Sequence, residues 1–382
     1  MNIVTITKSW PSPGFPAEGC FIESRMRAVA RHHAVCVLHA VPFLRKLPAD
    51  APAGRPAVHR VRYFYCPGLL KSLDGRFLAA SLRAAFARRV REDGVDLVDA
   101  HFGYPEGAAA VRLGREIGRP VVLTLRGTEA AFAGRGRRGR QMAAAIRAAD
   151  RVIAVSRPLR DLAIDAGAEP GRIAVICNGA DTERFRPGGR EEARRRLGLA
   201  PHAPVLLSVG ALIERKGHRH LVGTLPRLRR TRPGTILVIA GSGPLAGRLR
   251  REAARAGVSE AVRFAGLLTR DELPEYYRAA DVLALASSWE GFANVFFEAF
   301  ASGLPVVATD VGGAREAMPD ENLGRLVPYD HWDRFAEALE EVLGGRRDPV
   351  AIRAFAERNG WDRVGARVDA VFREVVGAGR RR

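Results

Sequence analysis

Lysine is almost missing from this chain. Of its 61 basic residues only four are lysine (Lys8, Lys46, Lys71 and Lys216), and the rest are arginine. Cysteine is as sparse: Cys20, Cys36, Cys66 and Cys177 form no CxxC pair and no Cys/His cluster. That excludes a disulfide scaffold and a zinc module and fits a reducing, cytoplasmic setting. No apolar run reaches the roughly 18 residues of a membrane span, and the N-terminus lacks a basic flank before an apolar core. Neither a membrane helix nor a signal peptide is expected. Aromatic residues make up 7%, the basic residues are not interleaved with them, and no nucleic-acid-binding motif occurs. No Asp-x-Asp pair exists to hold a divalent cation beneath a diphosphate, so no metal site is expected.

What is present is globular. Hydrophobic residues make up 47% and charged residues 27% of 382 positions, a length that suggests two domains of roughly 150–200 residues each. The net charge of +19 is unevenly spread: residues 1–190 carry 31 basic against 17 acidic side chains, and residues 191–382 carry 30 against 25. A basic N-terminal half suits an anionic partner, whether nucleic acid, anionic lipid or a diphosphate substrate.

Both halves alternate short apolar, β-branched runs with amphipathic stretches, the pattern of βα units around parallel sheets. Strands are expected at Asn2–Thr7, Ala34–Ala40, Val95–His101, Val121–Leu125, Arg151–Ser156 and Ile173–Ile176. In the second half they are expected at Val205–Val209, Thr235–Ala240, Val262–Ala265, Asp281–Ala286 and Pro305–Ala308. Helical stretches between them include Phe21–Arg31, Glu106–Ile117, Gln141–Ala149, His218–Arg230, Pro244–Ala256, Asp271–Ala279 and Asn294–Ser302. A Pro-Gly-Gly turn, a short charged helix and Ala-Pro-His-Ala-Pro place the break within Arg184–Ala203. The domains expected are residues 1–187 and 188–360, with an amphipathic helix over 361–376 packing back. Two doubly wound Rossmann-like α/β domains would face each other across a cleft at the carboxyl ends of their strands.

The segment from Ser288 to Gly313 runs strand, loop, helix, turn, strand. With Asn294 as N-cap, Gly291, Phe292, Ala293 and Asn294 present backbone N–H groups at a positive helix end, which suits an anion. Glu290 sits in the loop, and Glu298, one turn into the helix, reaches back toward it. A carboxylate accepts from two hydroxyls at once, as a vicinal diol requires. An anion site between two such carboxylates reads as a nucleotide-sugar pocket. By contrast, Gly241-Ser-Gly-Pro-Leu-Ala-Gly247 fails as a dinucleotide fingerprint, because the next strand ends without an acidic residue for a ribose.

Together with Val209-Gly-Ala-Leu-Ile-Glu-Arg-Lys-Gly217, Ile239-Ala-Gly-Ser-Gly-Pro244, Val262-Arg-Phe-Ala-Gly266, Ala154-Val-Ser156 and Cys177-Asn-Gly-Ala-Asp181, this segment resembles the retaining glycosyltransferases of family 4, which have the GT-B fold. The resemblance covers nearly the whole chain. It implies that Lys216 binds the donor diphosphate and Glu298 the ribose. It also implies that Glu290 and the amides of Gly291, Phe292 and Asn294 hold the donor sugar and phosphate. Gly19 matches the glycine that lets backbone approach the phosphate. Ala211 stands where many members carry arginine, which makes Arg215 the replacement cation. The family shows histidines at two neighbouring strand ends: His101 is kept at the first, and Arg126 stands at the second. Either His101 or Arg126 lies beneath the anomeric carbon, or Arg126 binds substrate phosphate or carboxylate.

The expected activity is metal-independent, retaining transfer from a nucleotide-sugar to a hydroxyl of a glycan or lipid-linked saccharide, in cell-surface or exopolysaccharide synthesis, with no cofactor. The resemblance implies front-face attack in which the departing diphosphate helps deprotonate the acceptor, so that no protein nucleophile is required. An anionic membrane surface is a second expected partner, met by Arg83, Arg88, Arg89 and Arg91 on a helix and by Arg135, Arg137, Arg138 and Arg140 on a loop. A basic nucleic-acid-binding protein without activity is the alternative.

Overall fold

The computed structural model describes residues 1–12, 14–16, 18–48, 56–345 and 348–379. The chain forms two compact units: residues 1–178 with the chain from Trp361 onward, and Gly179–Gly360. The division falls ahead of the expected break within Arg184–Ala203. The reason is local packing. Phe185 meets Tyr277 edge to face, with centroids 5.4 Å apart, and Arg353 donates to the carbonyls of Phe185 and Thr182. The Pro-Gly-Gly turn therefore lies inside the second unit.

The first unit holds a parallel sheet of β1 (Asn2–Thr7), β2 (Ala34–Pro42), β3 (Ala57–Tyr63), β4 (Leu97–His101), β5 (Val121–Leu125), β6 (Arg151–Ala154) and β7 (Ile173–Val175), in the order 3-2-1-4-5-6-7. The second holds β8 (Val205–Val209), β9 (Ile236–Ala240), β10 (Val262–Gly266), β11 (Val282–Leu285), β12 (Val306–Thr309) and β13 (Gly324–Val327), in the order 10-9-8-11-12-13. Central strands such as β11 and β12 are buried along their length, as helix-covered parallel strands must be. Each order reverses once, between β1 and β4 and between β8 and β11. Ligands of doubly wound sheets bind beyond the carboxyl ends of the strands at such a reversal.

Two strands carry little sequence signal. β3 is an edge strand whose His59, Arg60 and Arg62 are half-buried or exposed, and β13 has four residues and begins with glycine. One helix start moves by five residues, and one helix cap moves by one. The helix Gly136–Ala148 begins five residues before the expected Gln141, so Arg137, Arg138 and Arg140 lie in its first two turns and not on a loop. Its glycines read as turn residues, yet burial of Met142 and Ile146 fixes the helix. In the helix Asn294–Ala301 the extended cap residue is Ala293, and Asn294 is the first helical residue.

The C-terminal helix, Trp361–Gly379, packs into the first unit. Its buried Val364, Val368, Phe372 and Val375 recur every three to four residues and join Ile22, Met26 and Val29 in one core. Ion pairs of Asp362 with Arg31 and of Glu374 with Arg151, and a hydrogen bond between His33 and Asp369, border that seam.

Candidate functional site

The loops after β8 and β11 bring Lys216, Arg215 and Glu290 together. Lys216 Nζ donates to Glu290 Oε1 at 2.6 Å, and Ser287 Oγ donates to the same oxygen at 2.7 Å. Arg215 Nη1 lies 3.8 Å from Glu290 Oε2, and the Arg215 carbonyl accepts from the Ser288 amide at 2.9 Å, which ties the two loops. A Cβ on Gly312, held at φ +56°, would fall 1.6 Å from the Glu290 carbonyl oxygen, so only glycine allows this approach. Glu290, Gly291, Phe292 and Ala293 are buried, and Phe292 stacks on Phe297. Among the described residues the Gly291 and Phe292 amides donate to no protein acceptor. Buried amides ahead of a helix suit an anion.

Glu298 is half-buried. Its Oε2 accepts from Tyr277 Oη at 2.7 Å, and its Oε1 takes no hydrogen bond among the described residues. Burial raises its pKa, while the Tyr277 hydrogen bond and the Arg270 charge act against that rise. Ser287 and Tyr277 are partners that the sequence did not single out.

In the first unit Gly19 sits between β1 and the helix Cys20–Val29 at φ +70°, where a Cβ would lie 2.3 Å from the Ser9 carbonyl oxygen. His101 closes β4 and is fully buried. Its Nδ1 accepts from Arg126 Nε and Nη2, each at 3.0 Å. Its Nε2 lies 3.2 Å from Asp99 Oδ2, out of hydrogen-bonding alignment. Burial holds the imidazole down to about 4; Asp99 opposes this and Arg126 adds to it. A neutral ring whose Nδ1 accepts carries its proton on Nε2. Arg126 also donates through Nη1 to Asn178 at 2.9 Å and lies 4.9 Å over the Phe21 ring. Burial pushes its pKa well down, as it does for Arg25 nearby, to about 10. His101 therefore orients Arg126.

Beyond β1 to β4 the same unit holds a cavity of about 390 Å3, lined among others by Lys8, Arg45, Lys71, Tyr104, Thr128 and Arg138. The carboxylates of Asp74 and Glu106 also line it. Each keeps one buried oxygen without a hydrogen-bond partner, and burial raises both pKa values. Lys71 Nζ stands 3.6 Å from Asp74 and Lys8 Nζ 4.0 Å from Glu106. No local motif in the sequence marks this cluster, although two of the four scarce lysines stand in it. A larger cavity, about 700 Å3, opens at the amino ends of β1 and β2, away from the strand ends that hold ligands in such sheets. Among the described residues no three His, Cys, Asp or Glu side chains converge to hold a metal ion, and no helix is long and apolar enough to cross a membrane.

The glycosyltransferase family 4 model matches residues 23–184, and the model for glycosyl transferases group 1 matches residues 189–358. A D-inositol 3-phosphate glycosyltransferase of Acidothermus cellulolyticus is 35% identical over 78% of this chain and 71% of its own length. Another from Streptomyces bingchenggensis is 38% identical over 61% of this chain and 55% of its own. A GDP-mannose-dependent alpha-(1-6)-phosphatidylinositol monomannoside mannosyltransferase of Mycobacterium tuberculosis is 37% identical over 54% and 55%. The chain thus spans about half the length of several curated relatives that it matches. Among solved structures, sucrose-phosphate synthase from Thermosynechococcus elongatus superposes with a TM-score of 0.81 at 21% identity, over 99% of this chain and 100% of that one. HepE from Anabaena in complex with UDP and glucose gives 0.76 at 19% identity, over 98% and 100%. The fold is therefore GT-B, with two Rossmann-like units. On the two family models and the relative from Acidothermus, the chain belongs to glycosyltransferase family 4.

Proposed function

We propose that the chain transfers a sugar from a nucleotide-sugar to a hydroxyl of a phosphate-bearing polyol or saccharide, lipid-linked or free, with retention at the anomeric carbon and without a metal ion. The observation that carries this reading is the convergence of Lys216, Arg215 and Glu290 at the strand reversal of the second unit, with Glu298 on the helix that follows the same loop. Lys216, Arg215 and the Gly291 and Phe292 amides offset the donor diphosphate's charge, the part a divalent cation takes elsewhere. Glu298 Oε1 accepts from a ribose hydroxyl while Tyr277 holds Oε2. Glu290 Oε1 already accepts from Lys216 and Ser287, which makes Glu290 an orienting group and not a nucleophile. The C1–O bond to the diphosphate breaks, and the acceptor oxygen bonds C1 on the same face. Its proton passes to the departing phosphate oxygen.

Arg126 is the first unit's cation for substrate phosphate or carboxylate, and His101 positions it. The cavity with Lys8, Arg45, Lys71 and Arg138 supplies cations for an acceptor phosphate, and the unpartnered oxygens of Asp74 and Glu106 accept from hydroxyls. The phosphorylated inositols in the names of the relatives have this chemistry. The test is a panel of UDP-, GDP-, ADP- and dTDP-sugars with inositol phosphate or phosphatidylinositol. One donor is expected to release its nucleoside diphosphate, and EDTA is expected to leave the rate unchanged. A rate lost in EDTA and restored by Mn2+ would overturn the metal-independent reading.

A further inference from the structure

Three arginines are buried among the described residues: Arg25, Arg126 and Arg194. Arg194 has the surroundings that a buried cation requires. Its guanidinium lies 2.7 Å from Asp281 Oδ2 and donates to the carbonyls of Ala279 and Pro201. Arg25 and Arg126 form no ion pair among the described residues, and every group they bind is neutral. Arg25 donates to Thr124 Oγ1, the Ile176 carbonyl and Asn178 Oδ1, and its Nε is buried with no partner. Arg126 donates to His101 Nδ1 and to the same Asn178 oxygen.

The acids whose charge acts on Arg126 are engaged elsewhere. Asp99 accepts from Thr5 Oγ1, and Glu129 accepts from the amides of Gly103, Arg126 and Gly127. Burying a charge without a counter-ion in contact is costly, and two like charges bridged by one amide oxygen raise that cost. The pair stands at the carboxyl ends of β5 and β7, the end at which doubly wound sheets hold ligands. A ligand anion is the partner that this pair lacks. Arg126 keeps 8% of its surface exposed and Arg25 1%, so Arg126 meets the ligand and Arg25 adds positive potential beside it.

The donors say which anion. The bonds of Arg126 take one N–H each from Nε, Nη1 and Nη2, which leaves one on Nη1 and one on Nη2. Two N–H groups match the two oxygens of a carboxylate. A phosphate brings three oxygens and nearly twice the charge, and the buried Asp99 and Glu129 repel a dianion more than a monoanion. Resting on the reading of Arg126 as a substrate cation, we propose that the substrate carries a carboxylate, as a uronic acid does, and that Arg126 binds it. The carboxylate rides on the transferred sugar or on the acceptor, and its recognition is the same in both.

The experiment is calorimetry with matched ligands that differ only in the carboxylate. UDP-glucose is set beside UDP-glucuronate, GDP-mannose beside GDP-mannuronate, and methyl glucoside beside methyl glucuronide, on the wild-type chain, Arg126→Gln and Arg126→Lys. The wild type should bind the acidic member of one pair about tenfold or more tightly than the neutral one. Arg126→Gln should bind both members equally. Arg126→Lys keeps the charge without the fork and should retain part of the preference, which carries the comparison if the glutamine variant is unstable. A preference within a nucleotide-sugar pair places the carboxylate on the transferred sugar, and one within the glucoside pair places it on the acceptor. Equal binding within every pair by the wild type, or a preference that survives Arg126→Gln, would overturn the proposal. So would inorganic phosphate bound more tightly than acetate, with that difference lost in Arg126→Gln. An acidic preference without nucleoside diphosphate release from any donor would count against the proposed reaction and leave the carboxylate site standing.

Discussion

Glu298 accepts from Tyr277 through one oxygen, and in the proposed function the other accepts from the donor ribose. Glu298→Ala is therefore expected to raise the donor KM and to lower kcat/KM by about tenfold or more, since a hydrogen bond to a charged group contributes roughly 1.5–3 kcal/mol. Steady-state kinetics with varied donor check this, and unchanged donor kinetics in the folded variant would contradict the assignment. Histidine ionisation gives a second expectation. Burial holds His39, His101 and His218 each to about 4, below the unfolded value of about 6.5. Between those values the unfolded chain binds protons that the folded chain does not. Their contribution to stability is therefore full above about pH 6.5 and is lost as pH falls toward 4. Imidazole NMR titration should show all three rings neutral until about pH 4, and a midpoint near 6.5 for His101 would contradict its burial against Arg126. The candidate residues Lys216, Glu290 and Glu298 could be singled out from the sequence because each sits in a short motif whose spacing is local. The cavity residues could not, because Lys8, Lys71, Glu106 and Arg138 come from four segments that only the sheet brings together.

Among the elements, the C-terminal helix shows how far periodicity reaches. Val364, Val368, Phe372 and Val375 announce an apolar face, and the structure places that face on the helix Cys20–Val29. Phe372 is fully buried there, so Phe372→Ala should cost about 3–5 kcal/mol, read as a lowered midpoint in urea unfolding. A loss below about 1 kcal/mol would show that the helix is not integral to the core. Buried strands such as β8 and β9 were legible from their continuous apolar runs. The edge strand β3 was not, because half-exposed His59, Arg60 and Arg62 leave no such run. Helix starts shifted where tertiary packing overrode turn-forming glycines, as at Gly136.

For the whole molecule, charge and chemistry divide between the units. The excess of basic residues lies in the first half, where the scarce lysines Lys8, Lys46 and Lys71 stand on three neighbouring loops. The second unit keeps the one lysine that meets Glu290. An ammonium at that position is a compact point charge, and a broader guanidinium is expected not to replace it. The most direct test of the account is nucleoside diphosphate release from the donor panel by the wild-type chain beside Lys216→Arg and Lys216→Ala. The account predicts release from one nucleotide-sugar by the wild type, with both variants slower by about tenfold or more. Release at the wild-type rate by Lys216→Ala, or no release from any donor by the wild-type chain, would contradict it.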